Sequence, residues 1–500
     1  MGNNTSGIRL NGFGGEIVAR SGCAFVEKLD APGGPLHAVH VAGTHYEMGR
    51  QIGAMLGEKI YGSFAMVQGM LGESGLPGPF VTAIGSRAWS FYAKHVPAVY
   101  LDELRGIADA AREAGVPLTL EMLETVAAVP EFTSYWQMEK MLSLLMEEPQ
   151  EDVEPVWDGK ERKSPPIQCS AYMAWGSRCE QGKLYGCRNL DWAKDTGMAA
   201  NKCVTVYHPV GENGEPGPAS AVFGYIGFLG ALAGINENGV ALGEIGAFNE
   251  RETLDGRPWH YVFREVLDTA RNLKEACDII EKGHFVQGYC FNIGWGDPRG
   301  FGTSAFAPAG VSVEVDAQYT EILADDDARE RGAVAVGRSG ETLLFDGRPK
   351  PYGIALKDAV VRADTAFSKT VRSGQYTDKG PAGENNSGDA TQGRTWRDLY
   401  RPISLAIRSL TEGLPFEDAK GRWARYAAPG PAHPMTAAEA MEICAAAGDN
   451  KDNVMSIFYD ATALEASVAF ETGSADTWRP AAQAGYTRLK LAEVFAAGRD

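Results

Sequence analysis

Cys169 stands where a proline-bearing stretch gives way to an apolar β pattern, in the run Ser164-Pro165-Pro166-Ile167-Gln168-Cys169-Ser170-Ala171-Tyr172-Met173-Ala174-Trp175-Gly176. A thiol at such a junction would become an N-terminal residue if the chain were cut before it. The α-amine so exposed has an unperturbed pKa of about 7.7 to 8.0 and can take the thiol proton near neutral pH without a histidine. Further on lies Arg188-Asn189-Leu190-Asp191-Trp192. Read alone, Arg188 and Asp191 make a hairpin ion pair and Cys169 a buried core thiol.

These residues need elements to hold them. Ala171 to Gly176 and Leu184 to Leu190, with a turn at Gln181-Gly182-Lys183 between them, read as a β-hairpin. Asn236-Glu237-Asn238-Gly239 is another turn between apolar runs. Val454 to Tyr459 and Leu464 to Phe470 flank a third turn. Ahead of Cys169 the chain reads as helical after a short extended start. Thr44-His45-Tyr46-Glu47 is a capping box, so a helix should begin at His45. Gly49, Gly53 and Gly57 then recur on one face, which suits a close-packed neighbouring backbone. Leu101 to Ala114 and Thr119 to Val129 read as further helices, and Trp259 to Lys282 carries helical periodicity. The stretch from Glu147 to Gln168 is charged and proline-bearing, and reads as a linker. Ser368 to Gly393, rich in Gly, Ser, Asn and Asp, reads as a long mobile loop or lid.

Composition bounds the function. The 500 residues are 44% hydrophobic and 22% charged, enough for a large core. A net charge of −18 argues against a nucleic-acid partner. Eight cysteines without a C-x-x-C pair and eight scattered histidines without a His-x-x-x-His pair give neither a disulfide framework nor a metal site. No metal or cofactor is expected. Pro216 to Asn236 is uncharged, but its glycines and prolines suit buried strands better than a membrane span. The N-terminus lacks the shape of a signal peptide, so a cytoplasmic protein is expected; its Met-Gly-x-x-x-Ser start is only a weak match to a myristoylation pattern.

Taken together, the motifs resemble a family. Cys169 to Gly176, Gly182-Lys183 and Arg188 to Trp192 resemble the signature of the acyl-coenzyme A:6-aminopenicillanic acid acyltransferase-like cysteine peptidases, which are N-terminal-nucleophile (Ntn) hydrolases. Gly43 to Gly49, Glu103 to Ala108, Gly234 to Gly239 and Ser456 to Asp460 resemble further family motifs in the same order. The resemblance implies an α+β fold, a four-layer αββα sandwich of two antiparallel sheets. It implies cleavage between Gln168 and Cys169, an N-terminal helical α subunit of residues 1–168, a catalytic β subunit of residues 169–500, and continued association of the two. It implies a Cys169 thioester with Arg188 favouring the thiolate and Asp191 holding the α-ammonium or the substrate amine. The substrate would be a small amide or acyl thioester, acyl-CoA included.

The oxyanion donor is where the pattern departs. Val361-Arg362-Ala363-Asp364-Thr365 has Asp364 where relatives carry an amide, and a carboxylate would repel an oxyanion. Either Asp364 has another role or donors come from Asn249, Asn292 or backbone amides. Two other readings remain open. One is a Cys-His hydrolase without cleavage, using His208, His260 or His284; the other is a binding protein with a decayed site.

Overall fold

The computed structural model describes residues 9–72, 78–131, 169–192, 196–247, 249, 251–331, 334, 342, 344–345, 347–349, 351–354, 356–375 and 396–496. Its strands, in chain order, are β1 (Glu16–Ser21), β2 (Ala24–Leu29), β3 (Leu36–Gly43), β4 (Ser170–Ala174), β5 (Tyr185–Asp191), β6 (Lys202–Pro209), β7 (Ser220–Tyr225), β8 (Ala233–Asn236), β9 (Val240–Gly246), β10 (Tyr289–Trp295), β11 (Ala309–Val315), β12 (Thr320–Ala324), β13 (Leu344–Phe345), β14 (Arg348–Pro349), β15 (Ala359–Arg362), β16 (Asn453–Asp460), β17 (Glu465–Phe470) and β18 (Thr487–Lys490). The helices that matter for the site are α1 (His45–Gly72), α2 (Gly78–Tyr92), α3 (Ala98–Glu113), α4 (Leu120–Ala128), α5 (Trp259–Thr269), α6 (Leu273–Ile280), α7 (Arg401–Glu412) and α8 (Ala437–Gly448).

Two sheets face each other among the described residues. One has ten strands in the order β1-β2-β3-β6-β7-β8-β9-β10-β11-β12, the other six in the order β15-β4-β5-β16-β17-β18. Period-two alternation splits β4 between two cores. Cys169, Ala171, Met173 and Trp175 face the other sheet, while Tyr172 and Ala174 pack with Ile403, Ile407, Ile443 and Ala447 of α7 and α8. Helices α1, α5 and α6 cover the outer face of the ten-stranded sheet. The result is the αββα sandwich that the resemblance implies.

The segment before Cys169 is not purely helical. β1–β3 extend the ten-stranded sheet, and β3 runs parallel to β6, whereas the other described strand pairs are antiparallel. The boundary expected at 168/169 therefore falls within one packed body, with sheet hydrogen bonds crossing it. Helix α1 does begin at His45, capped by Thr44: its backbone N–H donates to Glu47 Oε2 at 2.9 Å and its Oγ1 accepts from Glu47 N at 3.3 Å. Such a cap contributes about 1 kcal/mol.

Buried polar contacts fasten this segment to the rest. Arg264 of α5 donates to both Glu103 oxygens at 3.3 Å and to Asp268 at 3.2 Å, and His45 lies 2.9 Å from Glu103. The linker expected over 147–168 and most of the loop expected over 368–393 lie outside the described residues. The part of that loop that is described departs from the expectation. Lys369–Gly374 is a short helix whose Val371 and Arg372 are buried, because Asn249 and Arg251 cap its carbonyls.

The glycine repeat of α1 has a steric cause. A Cβ on Gly49 or Gly53 would fall onto the carbonyl oxygens of Glu103 and Ile107 in α3. Helix propensity alone would credit Gly53→Ala with about 1 kcal/mol of added stability. The crossing reverses the sign: Gly53→Ala should lose on the order of 2 kcal/mol, read as an earlier midpoint in urea unfolding. A later midpoint would refute the close crossing.

Candidate active site

β4 and β5 form the hairpin read from the sequence, with Ala171 opposite Arg188. β15 lies on the other side of β4, with Arg362 opposite Ala171. Continuing that register by two residues sets Asp364 against Cys169. The Cys169 backbone N–H donates to Asp364 Oδ1 at 3.0 Å. Asp364 thus contacts the nitrogen that a cut would turn into an α-amine. Gln168, on the other side of that bond, lies outside the described residues.

Arg188 is fully buried and points toward the ten-stranded sheet. It fits because β9 offers Gly243 there, where a Cβ would collide with Arg188 Cγ. Its Nη2 donates to Glu244 Oε2 at 3.2 Å, while Nε and Nη1 make no hydrogen bond among the described residues. Burial pushes the Cys169 thiol well above its ordinary pKa; the Arg188 charge opposes this, and Glu244, Asp364 and Asp191 add to it. Burial thus holds this thiol toward its protonated form.

Burial pushes Glu244 up to about 7 against the pull of Arg188. Asp191 is also pushed up by burial to about 7, although Asn453 and Asn450 each donate to it at 2.9 Å. Asp191 is thus held by amides of the β16 end, while Asp364 holds the Cys169 nitrogen.

The remaining candidates separate. Asn249 donates to Asp316 Oδ2 at 3.1 Å and to the Val371 carbonyl at 2.9 Å, so both amide hydrogens are committed away from Cys169. Asn292 of β10 lies opposite Gly243 and therefore on the face that meets Arg188. Its Oδ1 accepts from Ser312 at 2.8 Å, and its buried Nδ2 has no partner among the described residues. A buried donor without an acceptor calls for one. Among the histidines, His260 is buried, pushed down to about 3, and turned to the Leu229 carbonyl; no histidine is among the residues that line the cavity at Cys169.

Cys169 opens on a cavity of about 150 Å³ with apolar walls, among them Met66, Val126, Leu190, Trp192, Phe228 and Trp259. Part of the wall comes from the segment ahead of Cys169. Behind it Glu131 accepts from Trp259 N at 2.9 Å and from Tyr289 Oη at 2.5 Å. Glu244 and the cavity wall were not singled out in the sequence. A lone acid inside the apolar run Val240–Gly246 was the available signal for Glu244.

The structure thus sets a buried thiol and a neighbouring buried arginine between two facing sheets. Residues 178–303 match the family model described as acyl-coenzyme A:6-aminopenicillanic acid acyl-transferase. The resemblance seen in the motifs is borne out over the stretch that carries Arg188, Asp191, Glu244, Asn249 and Asn292; Cys169 and Asp364 lie outside it. Solved structures similar to this chain include the N-acylethanolamine-hydrolyzing acid amidase ortholog of Caenorhabditis elegans, at 12% identity, TM-score 0.31, and coverage of 59% of this chain and 93% of that one. Penicillin V acylase from Agrobacterium tumefaciens is 13% identical, TM-score 0.29, covering 60% and 83%. A mutant of conjugated bile acid hydrolase from Clostridium perfringens is 11% identical, TM-score 0.33, covering 65% and 93%. No curated protein matches the chain. Among the described residues no helix is long and apolar enough to cross a membrane.

The Glu131 carboxyl gives this wall a pH signature. Burial pushes it up to about 8, so the folded chain keeps a proton that the unfolded chain releases near pH 4.5. Stability should fall as pH rises from about 5 to 8, with Glu131 contributing at most about 1.4 kcal/mol for each pH step of one and Asp191 and Glu244 acting in the same direction. A glutamine in its place would keep an acceptor for Trp259 N and a donor toward Tyr289. Thermal unfolding of Glu131→Gln should therefore show a shallower loss between pH 5 and 8 than the wild type. Equal slopes would contradict a protonated Glu131.

Proposed function

We propose that the chain is a self-processing Ntn cysteine amidohydrolase or acyltransferase, cut between Gln168 and Cys169, with Cys169 as nucleophile. The observation that carries this reading is the Cys169 nitrogen against Asp364, with the Cys169 side lining an apolar cavity and the Arg188 charge near its thiol. In processing, the thiol attacks the Gln168 carbonyl carbon and the acyl group moves from nitrogen to sulfur. Water then hydrolyses the thioester, leaving a carboxylate on Gln168 and a free amine on Cys169.

In turnover the α-amine takes the thiol proton, and the thiolate attacks the acyl carbon of an amide or acyl thioester. The leaving amine or thiol carries the proton away. Water or an amine attacks the Cys169 thioester and frees the enzyme. Asp364 orients the α-amine and balances its charge when protonated. That gives the departure from the family pattern a role. Arg188 favours the thiolate, and Glu244 holds Arg188. Asn292 Nδ2 is the candidate oxyanion donor, replacing Asn249 and Asp364 in that part.

The acyl part of the substrate is apolar, because the cavity walls offer it little else. Residues 1–168 stay associated with 169–500, since α1 and α4 line the cavity and β3 pairs with β6. Intact mass spectrometry of freshly purified protein, with N-terminal sequencing, tests the reading. Wild type should give two fragments, one beginning at Cys169, while Cys169→Ala stays whole. A whole chain in both would discard the α-amine base.

A further inference from the structure

His95, Asp255 and His284 are far apart in sequence, yet one side-chain ligand atom of each lies within 4.8 Å of the others. His95 closes a 3-10 turn (Ala93–His95) between α2 and α3. Its Nε2 contacts Asp255 Oδ1, and its ring meets that of His284 edge-on at 5.5 Å between centroids. The other two donors sit on backbone that is already paired. Arg257 N–H donates to the His284 carbonyl at 2.7 Å, Thr253 N–H donates to the Val286 carbonyl at 2.8 Å, and Arg257 and Phe285 form a parallel bridge.

Two further features favour a ligand here. His284 has φ +57°, a left-handed conformation that a residue with a side chain rarely adopts and that fixes where its ring projects. Lys94 Nζ lies 2.8 Å from Asp255 Oδ2, which leaves Oδ1 on the histidine side. Such a contact to the second oxygen orients a monodentate carboxylate ligand.

We propose that His95, Asp255 and His284 bind a divalent cation, zinc by the chemistry of two imidazole nitrogens and one carboxylate oxygen. A fourth position is left to water, and the exposed His284 side of the cluster admits the ion. Its three ligands sit on separate elements, so no local spacing motif marks the site in the sequence. On the reading proposed above, His95 belongs to one fragment and Asp255 and His284 to the other, so the ion also ties the two together.

The test is titration of chelator-stripped protein with Zn²⁺ by calorimetry, with Co²⁺ absorption as a second readout of nitrogen ligation. Wild type and Cys169→Ala should both bind one ion per chain with micromolar or tighter affinity. His95→Ala and His284→Ala should each bind at least about tenfold more weakly, with unchanged unfolding profiles when zinc is absent. Because Cys169→Ala is included, a chain that never processes leaves the binding result readable. Binding weaker than about 0.1 mM in wild type, or equal binding in both histidine variants, overturns the site.

Discussion

The backbone nitrogen of Cys169 donates to Asp364 across the β4–β15 ladder, and the rest of the site is arranged around that contact. The pairing register that brings Arg362 opposite Ala171 leaves Asp364 opposite Cys169, and the pairing on the other side of β4 sets Arg188 beside Ala171. A shift of one residue in either ladder would turn these side chains to the wrong face. Arg188 lies within β5, and Cys169 and Asp364 lie just beyond the paired ends of β4 and β15, so the ladders set where nitrogen, carboxylate and guanidinium meet. The charge balance follows from burial. A guanidinium with no solvent needs carboxylates close by, and Glu244 supplies one where Gly243 makes room for the arginine stem.

The same constraint governs the segment ahead of Cys169. Its strands continue the ten-stranded sheet, its helices wall the apolar cavity at Cys169, and Glu103, held by His45 and Arg264, locks it to α5. A cut at residue 169 would sever one peptide bond and leave these contacts in place. That segment packs as part of the same body as the strands that carry Cys169 and Arg188.

Much of this arrangement was legible in the residues. The capping box at Thr44, the glycine face of α1, the β4–β5 hairpin and the Asn236–Gly239 turn are local patterns, and local physics decides them. Cys169, Arg188 and Asp191 drew notice through the order of motifs along the chain, and the fold places the three close together. What escaped depends on long-range pairing. The partner of Cys169 N is nearly 200 residues away. Glu244 hides in an apolar strand, and the β3–β6 pairing joins strands separated by a long crossover. Asn249 was weighed as a donor, but it caps a helix within the stretch that was read as loop.

That Asp364 holds the reacting α-amine is the claim on which the mechanism turns. The most direct measurement is the pH dependence of Cys169 acylation by an activated apolar acyl probe, in wild type and in Asp364→Asn, each with residues 1–168 and 169–500 supplied as separate co-expressed chains. A carboxylate beside an ammonium raises its pKa. The account predicts that Asp364→Asn reacts more slowly and moves the rising limb to lower pH by about one unit. Identical rates and limbs in the two proteins would contradict it.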